Sequence, residues 1–222
     1  MDKSVNTSDL FEYFPSFLAD FFKSARYPWE LIPKIKELAL SLLESGIEDY
    51  TLLKSNVLVG KDVKIYDGVT VEGPAIIGSQ TEIRPGAFIR GSVIVGEGCV
   101  IGNSTELKNC ILLSSVQVPH YNYVGDSILG NRAHLGAGTI CSNLRSDHNP
   151  VIVHADKEYP TGLRKMGGIL GDGADVGCGS VINPGTVIGK NTTVYPLTSL
   201  RGVYPADCIV KSTDIFVKRE KR

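Results

Sequence analysis

The chain has no excess of charge of either sign. Its 23 lysines and arginines face 24 aspartates and glutamates, a net charge of −1 in 222 residues. No basic field draws it to nucleic acid or to a membrane surface. Long apolar runs are missing too: no stretch approaches the roughly 20 residues of a membrane-spanning helix. Met1–Ser8 is polar, without the apolar core of a secretory signal, so the expected location is cytoplasmic. The five cysteines (Cys99, Cys110, Cys141, Cys178 and Cys208) contain no CxxC pair. They are expected as free, mostly buried thiols in a reducing compartment, with Cys99 as core filler.

What the chain does have is a period. Val59, Ile65, Val71, Ile77, Ile83, Ile89, Val95, Ile101, Leu107 and Leu113 stand six residues apart. Leu170, Val176, Ile182, Ile188, Val194 and Leu200 keep the same step. Four positions later usually comes a small or β-branched residue, such as Ala75, Thr81, Ala87, Cys99 or Thr105. Six is neither the helical period nor that of an ordinary strand; it is the hexapeptide repeat of a parallel β-helix.

This repeat resembles that of left-handed β-helix proteins, in which three hexapeptides make one triangular coil. The resemblance implies an all-β solenoid, a left-handed parallel β-helix, with residues 18 apart stacked about 4.8 Å from coil to coil. Val59, Ile77, Val95 and Leu113 would form one inward ladder, Ile65, Ile83 and Ile101 a second, and Val71, Ile89 and Leu107 a third. Gly60, Gly78, Gly96 and Gly102 follow ladder residues and are read as corners that need positive φ.

Residues 1–50 differ from the repeat. They hold about half of the aromatics, and Ile35, Leu38, Ala39, Leu42 and Leu43 recur at helical spacing before Gly46. Two short amphipathic helices are expected there, forming a cap or appendage that covers the first coil or a partner subunit. The β-helix should occupy 51–210, interrupted by a long, mobile, polar and basic loop at 143–168 that contains His148 and His154. Such an interruption commonly marks a working face. The KREKR end within 211–222 reads as a solvated basic tail.

The motifs IRPGAFIRG, GNSTELKN and VPHYNYVGDSILGNRAHLGAGTICSN carry chemistry. They closely resemble the acetyltransferase domain of bifunctional N-acetylglucosamine-1-phosphate uridyltransferase/glucosamine-1-phosphate acetyltransferases. TGLRKMGGILGDGADVG is similar to archaeal sugar-1-phosphate nucleotidylyltransferases carrying the same domain. Together the resemblance covers most of residues 56–205. It implies His120 as catalytic base and Asn143 as the residue that positions the sugar. It implies Arg84, Lys108 and Tyr123 around the sugar phosphate, with His134 on the substrate side where the bacterial pattern has asparagine. Ala137 and Cys178 would contact coenzyme A, and Arg145, Arg164 and Lys165 are the loop cations, the last two assigned to the cofactor. Leu144 replaces a tyrosine of the pattern.

The residue types suit the reaction. An ammonium cannot attack a thioester, and a neutral imidazole can take its proton. A phosphate dianion calls for guanidinium and ammonium partners, and holding it fixes the amine near the thioester. The expected activity is therefore an acetyl-CoA-dependent N-acetyltransferase acting on a hexosamine 1-phosphate, with no metal. The family implies a homotrimer with CoA between neighbouring prisms. Residues 1–55 contain no GxGTRM-type loop, so no uridyltransferase activity is expected, and a separate nucleotidyltransferase is a candidate partner. The alternative is a noncatalytic β-helix that binds a sugar nucleotide or serves assembly. A zinc enzyme of the γ carbonic anhydrase kind needs two histidines five apart and a third about two coils earlier; His120, His134, His148 and His154 lack that spacing.

Overall fold

A computed structural model describes residues 3–219. Three parallel sheets wrap into a triangular prism. The first holds nine strands, eight of them parallel and Thr51–Lys54 added antiparallel at its edge. The second also holds nine, with Ile215–Lys218 as its antiparallel edge. The third holds seven, running from Thr70–Glu72 to Ser199–Leu200. Each strand is two to five residues long, and most strands of the prism turn an aliphatic residue inward.

Most repeat positions do what the period implies, although Ile65, on the first coil, is 36% exposed and lies outside the core. Ile77, Ile83, Ile89, Val95, Ile101 and Leu107 are all fully buried in one core. The lattice threonines close the corners: Thr81 donates to the Gly96 carbonyl (2.9 Å) and Thr105 to that of Val118 (2.9 Å). A buried corner carbonyl is thereby satisfied from the neighbouring coil.

Leu113 departs from expectation. Leu112, not Leu113, pairs with Val95 and enters the core. The coil contracts by one residue at the corner where Asn109 adopts φ 47°, and Leu113 turns outward. The glycines also act differently from their expected role. Gly60, Gly78, Gly96 and Gly102 do not have positive φ. They lie against the next coil, where a Cβ at Gly96 would come within 2.7 Å of the Leu113 carbonyl carbon. Close stacking excludes the side chain.

The N-terminal segment covers a side of the prism rather than its open end. Three helices, Thr7–Leu10, Ser16–Lys23 and Ile35–Ser45, are linked by two 3-10 turns. Leu18, Phe22, Trp29, Ile32, Ile35 and Ala39 are buried against outward residues of the first sheet. Those residues form their own ladder: Leu58, Ile76, Ile94, Ile111, Ile128, Ile169, Val187 and Val203. The first coil's Leu58 is among them, as expected of a segment that packs on that coil, but the cover continues along the apolar face over later coils.

The interruption at 143–168 is not a free loop. It contains the hairpin Ile152–His154/Glu158–Pro160. Val151, Val153 and Met166 are fully buried on the first sheet, and Tyr159 meets Tyr27 and Trp29 edge-on. Nor is 211–218 a solvated tail: Ile215–Lys218 folds back on Cys208–Ser212 and covers an open strand edge. The last three residues of the basic end lie outside the described residues.

Candidate active site

Two clusters lie on opposite edges of the third sheet. At the corner entering it, His120, Ala137 and Cys178 stack on successive coils. Gly138 N–H donates to the His120 carbonyl (3.0 Å) and Gly179 N–H to that of Ala137 (2.8 Å). All three residues are exposed. The corner under His120 is tied down by Asn122, which is 2% exposed. Its Oδ1 accepts the His120 N–H (3.1 Å), and its Nδ2 donates to the Gly136 carbonyl (2.9 Å) on the next coil. Between them Tyr121 adopts φ 52° with its side chain 64% exposed. A bulky residue in left-handed backbone costs on the order of 1–2 kcal/mol; here it sits beside His120.

At the edge where the chain leaves the third sheet, Asp126 gathers the second cluster. It is 4% exposed. Lys108 Nζ reaches both of its carboxylate oxygens (3.0 and 3.1 Å), Asn109 Nδ2 donates at 2.8 Å, and Asn143 Nδ2 also donates to it. Asn143 reaches Tyr123 Oη as well (3.2 Å). Burial raises the Tyr123 phenol, helped by the charges of Asp126 and Glu106, so the hydroxyl stays protonated and able to donate at neutral pH. The interruption begins and ends at this corner: Met166 N–H donates to the Asn143 carbonyl (2.9 Å) and Gly167 N–H to that of Asp126 (2.8 Å). The strand Tyr123–Gly125 separates the two clusters by about 10 Å, at roughly 3.3 Å per residue.

Of the expected residues, Lys108, Tyr123 and Asn143 come together, and His120, Ala137 and Cys178 do so at the opposite edge. Arg84 joins neither group within the chain. It lies on the second sheet, paired with Glu82 (3.2 Å); that pairing lowers the Glu82 carboxyl. His134 is also on the second sheet, with Asp175 at 2.8 Å. Lys165 bridges backbone to Leu144. Both Arg164 and Lys165 are exposed at the Asn143 corner, across the third sheet from Ala137 and Cys178.

Three residues escaped the sequence reading. Arg90 sits one coil below Lys108 on the same sheet edge and pairs with Glu106 (2.7 Å); its separation of 18 residues from Lys108 is one coil, whereas Arg84 at 24 falls on another face. Asp126 belongs to the GD motif, to which no role was given. Asn122 stands inside PHYNY and carries no signal beyond its proximity. Among the described residues no group of histidine, cysteine and carboxylate side chains could hold a metal ion.

Comparison with known proteins places the chain in a family. A family model described as the GMPPB C-terminal domain matches residues 71–156. The chain is 34% identical over 174 residues to a bifunctional sugar-1-phosphate nucleotidylyltransferase/acetyltransferase of Sulfurisphaera tokodaii, covering 76% of this chain and 43% of that protein. It is 32% identical over 177 residues to a bifunctional protein GlmU of Methanocaldococcus jannaschii, covering 78% and 43%. The chain spans less than half the length of these bifunctional relatives. It is 36% identical over 163 residues to a putative uncharacterized acetyltransferase, YaiX, of Escherichia coli K12, covering 73% of this chain and 70% of YaiX. Among solved structures, the N-acyltransferase AntD of Bacillus cereus gives a TM-score of 0.43 at 17% identity, covering 79% of this chain and 93% of AntD. The chain belongs to the hexapeptide-repeat acyltransferase family.

Proposed function

We propose that this chain is an acetyl-CoA-dependent N-acetyltransferase whose acceptor is a hexosamine 1-phosphate of the glucosamine 1-phosphate type, acting in nucleotide-sugar synthesis. The observation that carries it is the pairing of edges: an exposed His120, anchored by Asn122, and the cation and amide cluster of Lys108, Tyr123 and Asn143 flank the same strand, Tyr123–Gly125. Acetyl-CoA supplies a thioester carbon open to attack. His120 takes a proton from the acceptor's 2-ammonium group, which exposes the nitrogen lone pair. The new C–N bond forms as the C–S bond breaks, and the second proton that the nitrogen loses passes to the departing sulfur, so CoA leaves as its thiol. Lys108, Arg90 and the Tyr123 hydroxyl hold the anomeric phosphate, so the amine is oriented by a group remote from the reacting atoms. Ala137 and Cys178 line the corner above His120, where the pantetheine arm would run.

The homotrimer belongs to the proposal. Because helices and hairpin cover the first sheet, copies would meet through the second and third sheets. That arrangement offers a route for Arg84 and His134 of one copy to approach the third sheet of the next.

One observation supports a noncatalytic binding reading instead: Asp126 already engages Lys108, so an incoming phosphate must share that ammonium. CoA release separates the readings. The purified chain is mixed with acetyl-CoA and glucosamine 1-phosphate, galactosamine 1-phosphate or glucosamine 6-phosphate. Release with one 1-phosphate that disappears in His120→Ala supports the enzyme; binding without release on any sugar supports the alternative.

A further inference from the structure

Among the described residues, fourteen other than glycine adopt positive φ, and twelve of these are polar. The two large hydrophobic ones are Tyr121 (φ 52°) and Leu197 (φ 59°). Both lie on the corner that carries His120. Left-handed backbone strains side chains of this size, and these two are also 64% and 84% exposed. Neither strain nor exposure helps a single chain to fold, so their shared corner points to a ligand.

The hydrogen bonds that stack His120, Ala137 and Cys178 continue in both directions. Leu197 N–H donates to the Cys178 carbonyl (2.9 Å) above, and Tyr121 N–H donates to the Asn103 carbonyl (2.9 Å) below. The second residue of each corner pair therefore forms its own ladder: Gly86, Ser104, Tyr121, Gly138, Gly179 and Leu197, all with positive φ. Between Tyr121 and Leu197 two coils present only glycine. Over three coil steps, about 14 Å at 4.8 Å per coil, the corner is a shallow groove with a ring at one end and an isobutyl group at the other. Leu197 leans over the upper glycine, since a Cβ on Gly179 would stand 2.8 Å from its Cδ2. Below Tyr121, Ser104 and Gly86 are small and exposed, so without the ring the groove would run on along the corner.

We infer that Tyr121 fixes the length of the donor's acyl group. Its ring stops the groove just past the thioester, which leaves room for acetyl and excludes chains of four carbons or more. The inference rests on the coenzyme A path and the acetyl transfer proposed above. The pantetheine arm lies over Gly138 and Gly179, and the thioester carbon stands beside His120. The acceptor amine approaches from the third sheet, so the acyl chain has to continue down the corner. There it meets Tyr121. Leu197 packs against the arm at the far end and takes no part in the choice of acyl group.

The test offers the full chain acetyl-, propionyl-, butyryl- and hexanoyl-CoA, each with glucosamine 1-phosphate, galactosamine 1-phosphate or glucosamine 6-phosphate, and times CoA release. With the acceptor that supports release, kcat/KM for butyryl-CoA should fall at least about 100-fold below that for acetyl-CoA, because a single methylene in a fitted pocket is worth about 10–200-fold. Tyr121→Gly should raise the butyryl-to-acetyl ratio at least about tenfold, whereas Tyr121→Phe, which keeps the ring, should hold it within about threefold. Leu197→Gly removes the same strain and exposure from the other end of the groove and should also leave the ratio in place. Glycine already stands at this place on the two coils above. Tyr121→Ser, with the residue of the coil below, serves if the glycine variant does not fold. A wild-type ratio near one, an unchanged ratio in Tyr121→Gly, or an equal rise in Leu197→Gly would overturn the inference. So would a Tyr121→Gly chain that loses the wild-type mass in solution with its ratio unaltered, for the ring would then be a contact between copies. Acetyl transfer that needs His120 but shows no acyl discrimination removes this inference alone. No release from any thioester removes the proposed activity and this inference with it.

Discussion

Replacing Ile94 by alanine tests whether the first sheet is a buried interface on its outer side. Ile94 points away from the β-helix core, yet it is fully buried, in the ladder between Ile76 and Ile111. The helix Ile35–Ser45 packs over its strand, Val93–Val95. Truncating a fully buried isoleucine costs about 2–5 kcal/mol, through lost transfer energy and the cavity left behind. In a chain of this size each kcal/mol lowers the melting temperature by about 2–4 °C, so a fall of about 4–20 °C is expected. Ile89→Ala, at a fully buried inward position, should cost the same. Leu40→Ala, on the same helix but 44% exposed, should stay within about 0.5 kcal/mol. Denaturant unfolding followed by circular dichroism reads all three. If Ile94→Ala behaves like Leu40→Ala, the helices do not cover this face and the account of residues 3–50 is wrong.

Thiol labelling should find one fast cysteine, Cys178, because the other four are buried. Saturating acetyl-CoA should slow it; several fast thiols, or no protection, would contradict the groove assignment. Stability should fall on the alkaline side. Burial pushes the Cys99 and Cys141 thiols from 9.0 up to about 12, so between those values the unfolded thiols lose protons that the folded ones keep. Each contributes a loss of up to about 1.4 kcal/mol per pH unit. Urea midpoints taken from pH 8 to 10 should decline, less steeply in Cys99→Ala, and an unchanged slope refutes the assignment. Asp126→Asn leaves Lys108 without its counter-charge. It should cost about 2–4 kcal/mol, allowing for the partial exposure of Lys108, and raise KM for the sugar phosphate more than it lowers kcat; an unaltered KM would show that Asp126 does not position the phosphate site.

The six-residue period made the core legible: it places Ile77, Ile83, Ile89 and Ile101 inside, and all four are fully buried. The period could not reveal a coil that loses a residue, and so Leu113 was exchanged for Leu112. Gly78 and Gly96 were rightly singled out for the wrong reason, since a repeat shows where glycine recurs but not whether torsion or a neighbouring coil demands it. The outer aliphatics Leu58, Ile76 and Ile94, 18 residues apart, were a visible signal that one face is covered. The lattice beside them masked it, and with it the place of the helices. In the candidate site, His120, Tyr123 and Asn143 were singled out by the resemblance of their motif, and the structure brings Tyr123 and Asn143 together while leaving His120 at the opposite edge. Asp126 and Asn122 act through other residues and reveal themselves only by the hydrogen bonds they collect. Arg90 could have been found by counting one coil from Lys108.

The central claim is that His120 deprotonates an amine held from the opposite edge of the third sheet. The measurement that reaches it most directly is acetyl transfer to glucosamine 1-phosphate by the wild-type chain and by His120→Ala, with CoA release timed and the sugar product identified by mass. The account expects an N-acetylated sugar phosphate from wild type, with kcat lowered by about 10²–10⁴ in the variant, the usual contribution of a general base, and KM little changed. Full activity in His120→Ala, or a loss confined to KM, would contradict it.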